Sequence, residues 1–340
     1  MSGPKTEHYV PRFILRQFLV DQSKELVSVY DKHEDRGFVT SIKNVMAENR
    51  FHDFLFEDSI VSFEPVACRI EDWCLPTYRR VIETRRLGGS LQEKVDLAFL
   101  ITFQMLRTKA TRARLQEMEA AIKNEIEPMG HRIEDIAGWG PQTEESVKRD
   151  ALMLIREALP SFAEIIARKE FRLAEAAPSR SFYLGDNPVC LHNTRTFGRR
   201  GNLGLGVPGI EIYLPLSSNL MLCAWCPSLM EPVRKSYADT KQEITSVLLG
   251  DLMAGKISSS TMKTAIESMH EAWKATTAVI EAAKSGLPMS SGTENMDFYN
   301  SLQTANAYRY VVCQQSDLDL ARQQNKEFPH LTKGHKITFG

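Results

Sequence analysis

Helical periodicity that begins near residue 58 and lasts to about 172, with strand-like segments on both sides, most limits the folds open to this chain. Apolar residues recur there every three to four positions, the spacing that lines them along one helix face. Pro65, Pro76, Gly88-Gly89-Ser90 and Glu127-Pro128-Met129-Gly130 divide the stretch. Ser90 followed by Glu93 has the form of a capping box. It opens a helix expected to run to about Ile126, and a further helix is expected over about 143–172, after the loop Gly138-Trp139-Gly140-Pro141. Upstream, a short apolar helix follows Pro11, and residues 25–31 and 38–46 read as strands turned at Gly37. Downstream, 181–191 and 209–225 are strand-like around a Gly- and Arg-rich loop, 193–206. Helices are expected over about 239–254, 258–284 and from 295, and a strand over 308–315. The polar, basic tail, about 325–340, reads as loosely held. This order predicts one large α+β domain over 1–340. It is mostly helical, with a small mixed or antiparallel sheet assembled from N-terminal, central and C-terminal strands.

A chain of 340 residues with 43% hydrophobic and 25% charged residues has ordinary globular composition and ample material for a core. The net charge of −1 gives the whole molecule no bias toward nucleic acid or membranes. The longest apolar run, Leu97 to Phe103, is far shorter than the roughly 20 residues that span a bilayer. Arg12 and Arg16 interrupt the N-terminal apolar stretch, so it does not read as a signal peptide. The expected location is the cytoplasm, with the six cysteines reduced. Cys223 and Cys226 have the spacing of half a zinc site, but a second close pair is missing and their apolar surroundings favour thiols.

Four polar features stand out from the scaffold. His8 precedes a Pro-fixed turn, His8-Tyr9-Val10-Pro11-Arg12, which gives it the rigid backbone a general base needs. The bland alternative is a capping role. Asp186-Asn187-Pro188 ends a strand, where a carboxylate can activate water or hold a metal ion, and where Asp and Asn are also ordinary turn residues. Gln104, Arg107 and Thr108 follow the apolar helical run. Arg107 is suited either to clamping a phosphate or carboxylate or to a structural ion pair. Residues 79–114 carry nine cations against three carboxylates, net +6, which is an anion-binding stripe if they share a face and a solvated helix surface otherwise. Arg195, Arg199 and Arg200 would extend such a patch. P-loop, dinucleotide, zinc-protease and serine-esterase signatures are absent from the sequence.

Taken in order, these segments resemble a bacterial family known as domain of unknown function number 4238. The resemblance rests on HYVPRFILRQF (8–18), Gln104 to Thr108, the Asp186 to Pro188 turn, Pro215 to Ser217, and Asn300 with Ala307 and Arg309. It implies that His8, Arg107, Asp186, Asn187 and Asn300 share one polar site. Gly185 departs from the pattern, since members often carry a small hydroxyl residue there.

The leading expectation is a hydrolase acting on nucleic acid or a nucleotide, nuclease-like or base-excising. Family distribution suggests phage defence or a toxin as the context. His8 would be the acid or base, Asp186 would orient it, activate water or hold a divalent ion such as Mg²⁺, and Arg107 would stabilise phosphate charge. Arg12, Gln104, Asn187, Asn300 and Arg309 would position substrate, nucleic acid would lie along 79–114, and no organic cofactor is required. The alternative is a non-catalytic interaction or nucleotide-sensing protein whose motif residues form a buried structural network.

Overall fold

A computed structural model describes residues 6–56, 59–136, 143–198 and 201–334. Its largest sheet is built on the two most apolar strands, β10 (Glu211–Ser217) and β11 (Leu220–Trp225), which pair antiparallel at its middle. The order is β12 (Met289–Ser290), β7 (Glu170–Glu175), β11, β10, β9 (Cys190–His192), with β12 parallel to β7. Successive side chains of a strand point to opposite faces, so strands apolar at every position need cover on both sides. Ile212, Leu214, Leu222 and Ala224 enter the main core, whereas Tyr213, Met221 and Cys223 enter a second cluster with Met296 and Tyr299. The first face packs on α2 (Glu64–Thr84) and α3 (Leu91–Leu106), and the second on α9 (Thr293–Asn306). Pro215 has no amide to give a ladder, and the register shifts just beyond it.

A second, antiparallel sheet joins distant parts of the chain: β3 (Arg36–Ser41), β2 (Leu26–Asp31), β13 (Tyr310–Cys313) and β8 (Leu184–Gly185). This is the expected union of N-terminal, central and C-terminal strands, and the fold is α+β. Two small antiparallel pairs complete the β-structure: β1 (Thr6–His8) with β4 (Ala47–Asn49), and β5 (Asp53–Phe56) with β6 (Ser59–Ser62). The remaining helices are α1 (Arg12–Leu15), α4 (Lys109–Ile126), α5 (Glu144–Ala167), α6 (Pro227–Met253), α7 (Ser259–Ala272), α8 (Lys274–Ser285) and α10 (Asp319–Glu327). Helix α3 is buried on several sides, including Glu93, Asp96 and Gln104. Among the described residues no helix is long and apolar enough to cross a membrane.

Several boundaries differ from expectation. The single helix expected to reach Ile126 breaks at Arg107–Thr108, because Thr108 is extended and its hydroxyl accepts the Thr111 amide, opening α4 afresh. The helix expected to continue to 172 ends at Ala167, and the chain runs on into strand β7. Helix α6 starts at Pro227, well before the expected 239, since Pro suits a first helical turn. The helix expected over 258–284 is two helices that meet at Trp273. Residues 325–334 are not loosely held: Asn325 donates to Tyr30 and to the Lys32 carbonyl, and the Leu331 carbonyl accepts from Lys32 at 2.7 Å. The loop at 138–141, Arg199, Arg200 and the last residues, 335–340, lie outside the described residues.

Candidate functional site

The structure brings most of the motif residues into one lattice, but their partners are mainly backbone. Arg107 is 2% exposed at the break between α3 and α4. Its Nε donates to the Tyr9 carbonyl at 3.1 Å, Nη2 to the His8 carbonyl at 2.9 Å and Nη1 to Glu71 at 2.5 Å. The guanidinium also lies 4.7 Å from the Phe103 ring centre. Gln104 donates to the same Tyr9 carbonyl at 3.0 Å. The Gln-x-x-Arg motif therefore clamps the HYVP segment through its main chain.

Asp186 is 1% exposed, and its carboxylate accepts the amides of Tyr308, Arg309 and Tyr310 at 2.7, 2.9 and 3.1 Å. Burial outweighs these bonds and pushes its pKa up to about 6. Asn187 accepts from Thr108 at 3.0 Å and donates to the Asn306 carbonyl at 3.2 Å. Asn306 returns its amide to the carbonyls of Asn187 and Val189. Asn300 holds the strand before the turn, accepting from the Tyr183 amide and donating to the Ser181 carbonyl. Arg309 turns to the β2–β3 hairpin, bonding Asp31 through Nε and Nη2 and Glu34 through Nη2.

His8 stands apart from Asp186. Its Nε2 donates to the Ile42 carbonyl at 2.8 Å, and no hydrogen bond joins the two side chains. The ring is half-buried, and burial lowers its pKa, with Arg12 and Arg107 adding to the effect. The imidazole is therefore neutral at pH 7, with Nδ1 as its acceptor. Arg12 is exposed and reaches His8 only electrostatically.

The cations of 79–114 do not form one continuous stripe. Arg107 is buried, Arg80 pairs with Glu93, Arg85 with Glu175 and Lys109 with Glu48, while Arg86 donates to the Ser285 carbonyl and Arg114 to Asn306. Arg112 differs. It donates to the Phe51 carbonyl at 2.5 Å and stacks 3.5 Å from that ring's centre. No carboxylate lies within ion-pairing distance of it among the described residues; burial lowers its pKa to about 10 against the opposing field of Glu48, Glu144, Glu7 and Glu145.

Arg112 lines a cleft of about 270 Å³ whose walls are the elements tied by the lattice. Glu48 and Asn49 come from β4, Gln116 from α4, Lys148 from α5 and Tyr308 from the turn pinned by Asp186. The neighbouring charges are compensated, Lys109 by Glu48 and Lys148 by Glu144. The Gln116 amide and the Tyr308 hydroxyl make no hydrogen bond with the described residues. A larger cavity of about 630 Å³, near Arg86, Glu170 and Arg234, has no motif residue in its walls. Sequence reasoning missed Asn306 and Tyr308, and took in Arg112 only as one cation of the 79–114 run. Only the Arg-rich run containing Arg112 gave any signal.

Fold and lattice together define an α+β protein whose motif residues hold three chain segments around one small cleft. The chain belongs to the family described as protein of unknown function (DUF4238), whose model matches residues 7–317. No curated protein and no solved structure matches it.

Proposed function

We propose that this protein is a non-catalytic binding protein that takes a small, phosphate-bearing planar ligand of the nucleotide class in the cleft at Arg112. The observation that carries this reading is the Arg112 guanidinium, half-buried on a cleft wall with no carboxylate in contact among the described residues. A desolvated guanidinium with carboxylates near it but none in contact still gains from an anion bound directly to it, and a guanidinium suits phosphate. Tyr308 and Gln116 supply a ring face, a hydroxyl and an amide for the remainder of the ligand. A cleft of about 270 Å³ is at the small end for such ligands, which fits one nucleotide in part rather than a polymer. In this reading the motif residues fix the cleft walls. The polar atoms of Asp186 and Arg107 are already taken up by protein groups, which leaves little for chemistry.

The test is calorimetric titration at low salt with inorganic phosphate and with nucleoside mono- and triphosphates. Arg112→Gln should weaken every phosphate-bearing ligand by about tenfold or more. Tyr308→Ala should weaken nucleotides but not inorganic phosphate. Absence of binding by the folded wild type would reject the proposal.

One observation favours the hydrolase reading as a second possibility: the half-buried, neutral His8 imidazole beside Arg12 and Glu71. Its test is turnover of single- and double-stranded DNA, RNA and free nucleotides, with Mg²⁺ or chelator. Product formed by wild type but not by His8→Ala would favour a hydrolase over the binding protein.

A further inference from the structure

Cys226 ends the run after β11 and is the N-cap of α6, a helix of 27 residues. Its Sγ lies 3.2 Å from the Ser228 hydroxyl, in the first turn. A helix N-terminus favours a thiolate, because its amides and dipole stabilise negative charge. A second, separate feature points to the same place. Lys169, between α5 and β7, is 7% exposed, and among the described residues its ammonium has no hydrogen bond or ion pair. The register that sets Glu170 opposite Trp225 brings Lys169 alongside Cys226, whose sulfur raises the lysine's pKa against burial. On the outer side, Arg195 donates to the Ser228 carbonyl at 3.0 Å, placing another cation on that turn. The nearby carboxylate of Glu170 is taken up by Arg172 and Arg234.

The other cysteines differ in kind. Cys74, Cys190, Cys223 and Cys313 are buried, and burial pushes their thiols up. Cys68 is exposed, but its partial burial and Glu64, Glu71 and Asp72 raise its pKa. At Cys226 the Ser228 hydroxyl, backbone amides and Lys169 outweigh burial and lower it.

We propose that Cys226 is a thiol–disulfide exchange site, selectively modified by low-molecular-weight disulfides that carry carboxylates, with Lys169 and Arg195 receiving the negative groups. The Cys226 thiolate attacks one sulfur of the small disulfide and forms a mixed disulfide. The small disulfide's S–S bond breaks, and its second half departs as a thiolate that takes a proton from water. Cys226 is oxidised, the departing half is reduced, and an external thiol reverses the step.

The experiment follows reaction of the folded protein with dithionitrobenzoate, a dianionic aromatic disulfide, with adducts mapped by mass spectrometry. One thiol should react about tenfold or more faster than the rest at pH 7, and it should be Cys226. Cys226→Ser should abolish that fast phase, and Cys68→Ser should leave it. Lys169→Met should slow it and move its pH midpoint upward, while Lys169→Arg restores it. Oxidised glutathione should give the same single adduct. A fast phase that survives Cys226→Ser, or Cys68 reacting as fast as Cys226, would overturn the proposal.

Discussion

At the scale of single residues, Arg107 and Asp186 do their work on the main chain. Arg107 is buried with donors on two carbonyls and one carboxylate. Removing it strands those acceptors, so Arg107→Met should cost about 3–5 kcal/mol, read as a lower urea midpoint with unchanged slope. Arg107→Lys should recover only part, because an ammonium cannot span the same fork. Asp186 has the opposite pH signature from an ordinary paired carboxylate. Its pKa is raised to about 6 in the folded protein, above the unfolded value. Between about pH 4 and 6 the native state therefore holds the extra proton, and this group's contribution falls as pH rises through that window. The stability of wild type relative to Asp186→Asn should drop by about 3 kcal/mol in all between pH 3 and pH 7, about 2 kcal/mol of it from pH 4 to pH 6, and level off above pH 7. A difference that grows over the same range would reject the assignment. The sequence marked both residues as unusual, but not what they hold. The three donors to Asp186 and two of the acceptors of Arg107 are backbone groups, which no letter of a sequence records.

At the scale of elements, close approach favours glycine at position 185. A Cβ there would lie 2.9 Å from the Gln303 carbonyl oxygen and 3.2 Å from the Ala307 Cβ, and the Gly185 amide already donates to the Gln303 side chain. A serine would push α9 from β8, so Gly185→Ser should destabilise by about 1–3 kcal/mol in chemical denaturation. Thr108 shows how a short polar residue can divide what periodicity reads as one helix. It caps α4 and also donates to Asn187, so Thr108→Ala should cost about 1–2 kcal/mol. Thr108→Ser should be nearly neutral if the hydroxyl is what matters. Strands β10 and β11 were legible because their cores, IYLPL and LMLCAW, are continuously apolar. Strand β7 was not, since EFRLAE alternates charge and apolar residues next to a helix whose period it prolongs. The pairs β1–β4 and β5–β6 are too short for any period to register.

At the scale of the whole molecule, α6 contrasts with the sheets. Of its 27 residues only Met230 is buried, and Val247, Leu249 and Met253 stand exposed toward its far end. Amides of that far end should exchange with solvent well before those of β10 and β11 in native-state hydrogen exchange. Equal protection would mean that another surface covers this helix in solution. The general layout, strands from both ends meeting around helices, was readable from the order of patterns. Strand partners were not, because pairing is settled by contacts between distant segments. Lys32 is the extreme case: its ammonium is held by the carbonyls of Thr304, Ala307 and Leu331, which lie 272, 275 and 299 residues further on. A ribosome adding about 5–20 residues per second takes on the order of 15–60 s to deliver those carbonyls after Lys32 has emerged. For all that time β2 has no β13 beside it, and its open edge is an invitation to a neighbouring nascent chain. Shielding of that edge by a chaperone would matter most before residues 304–331 are made.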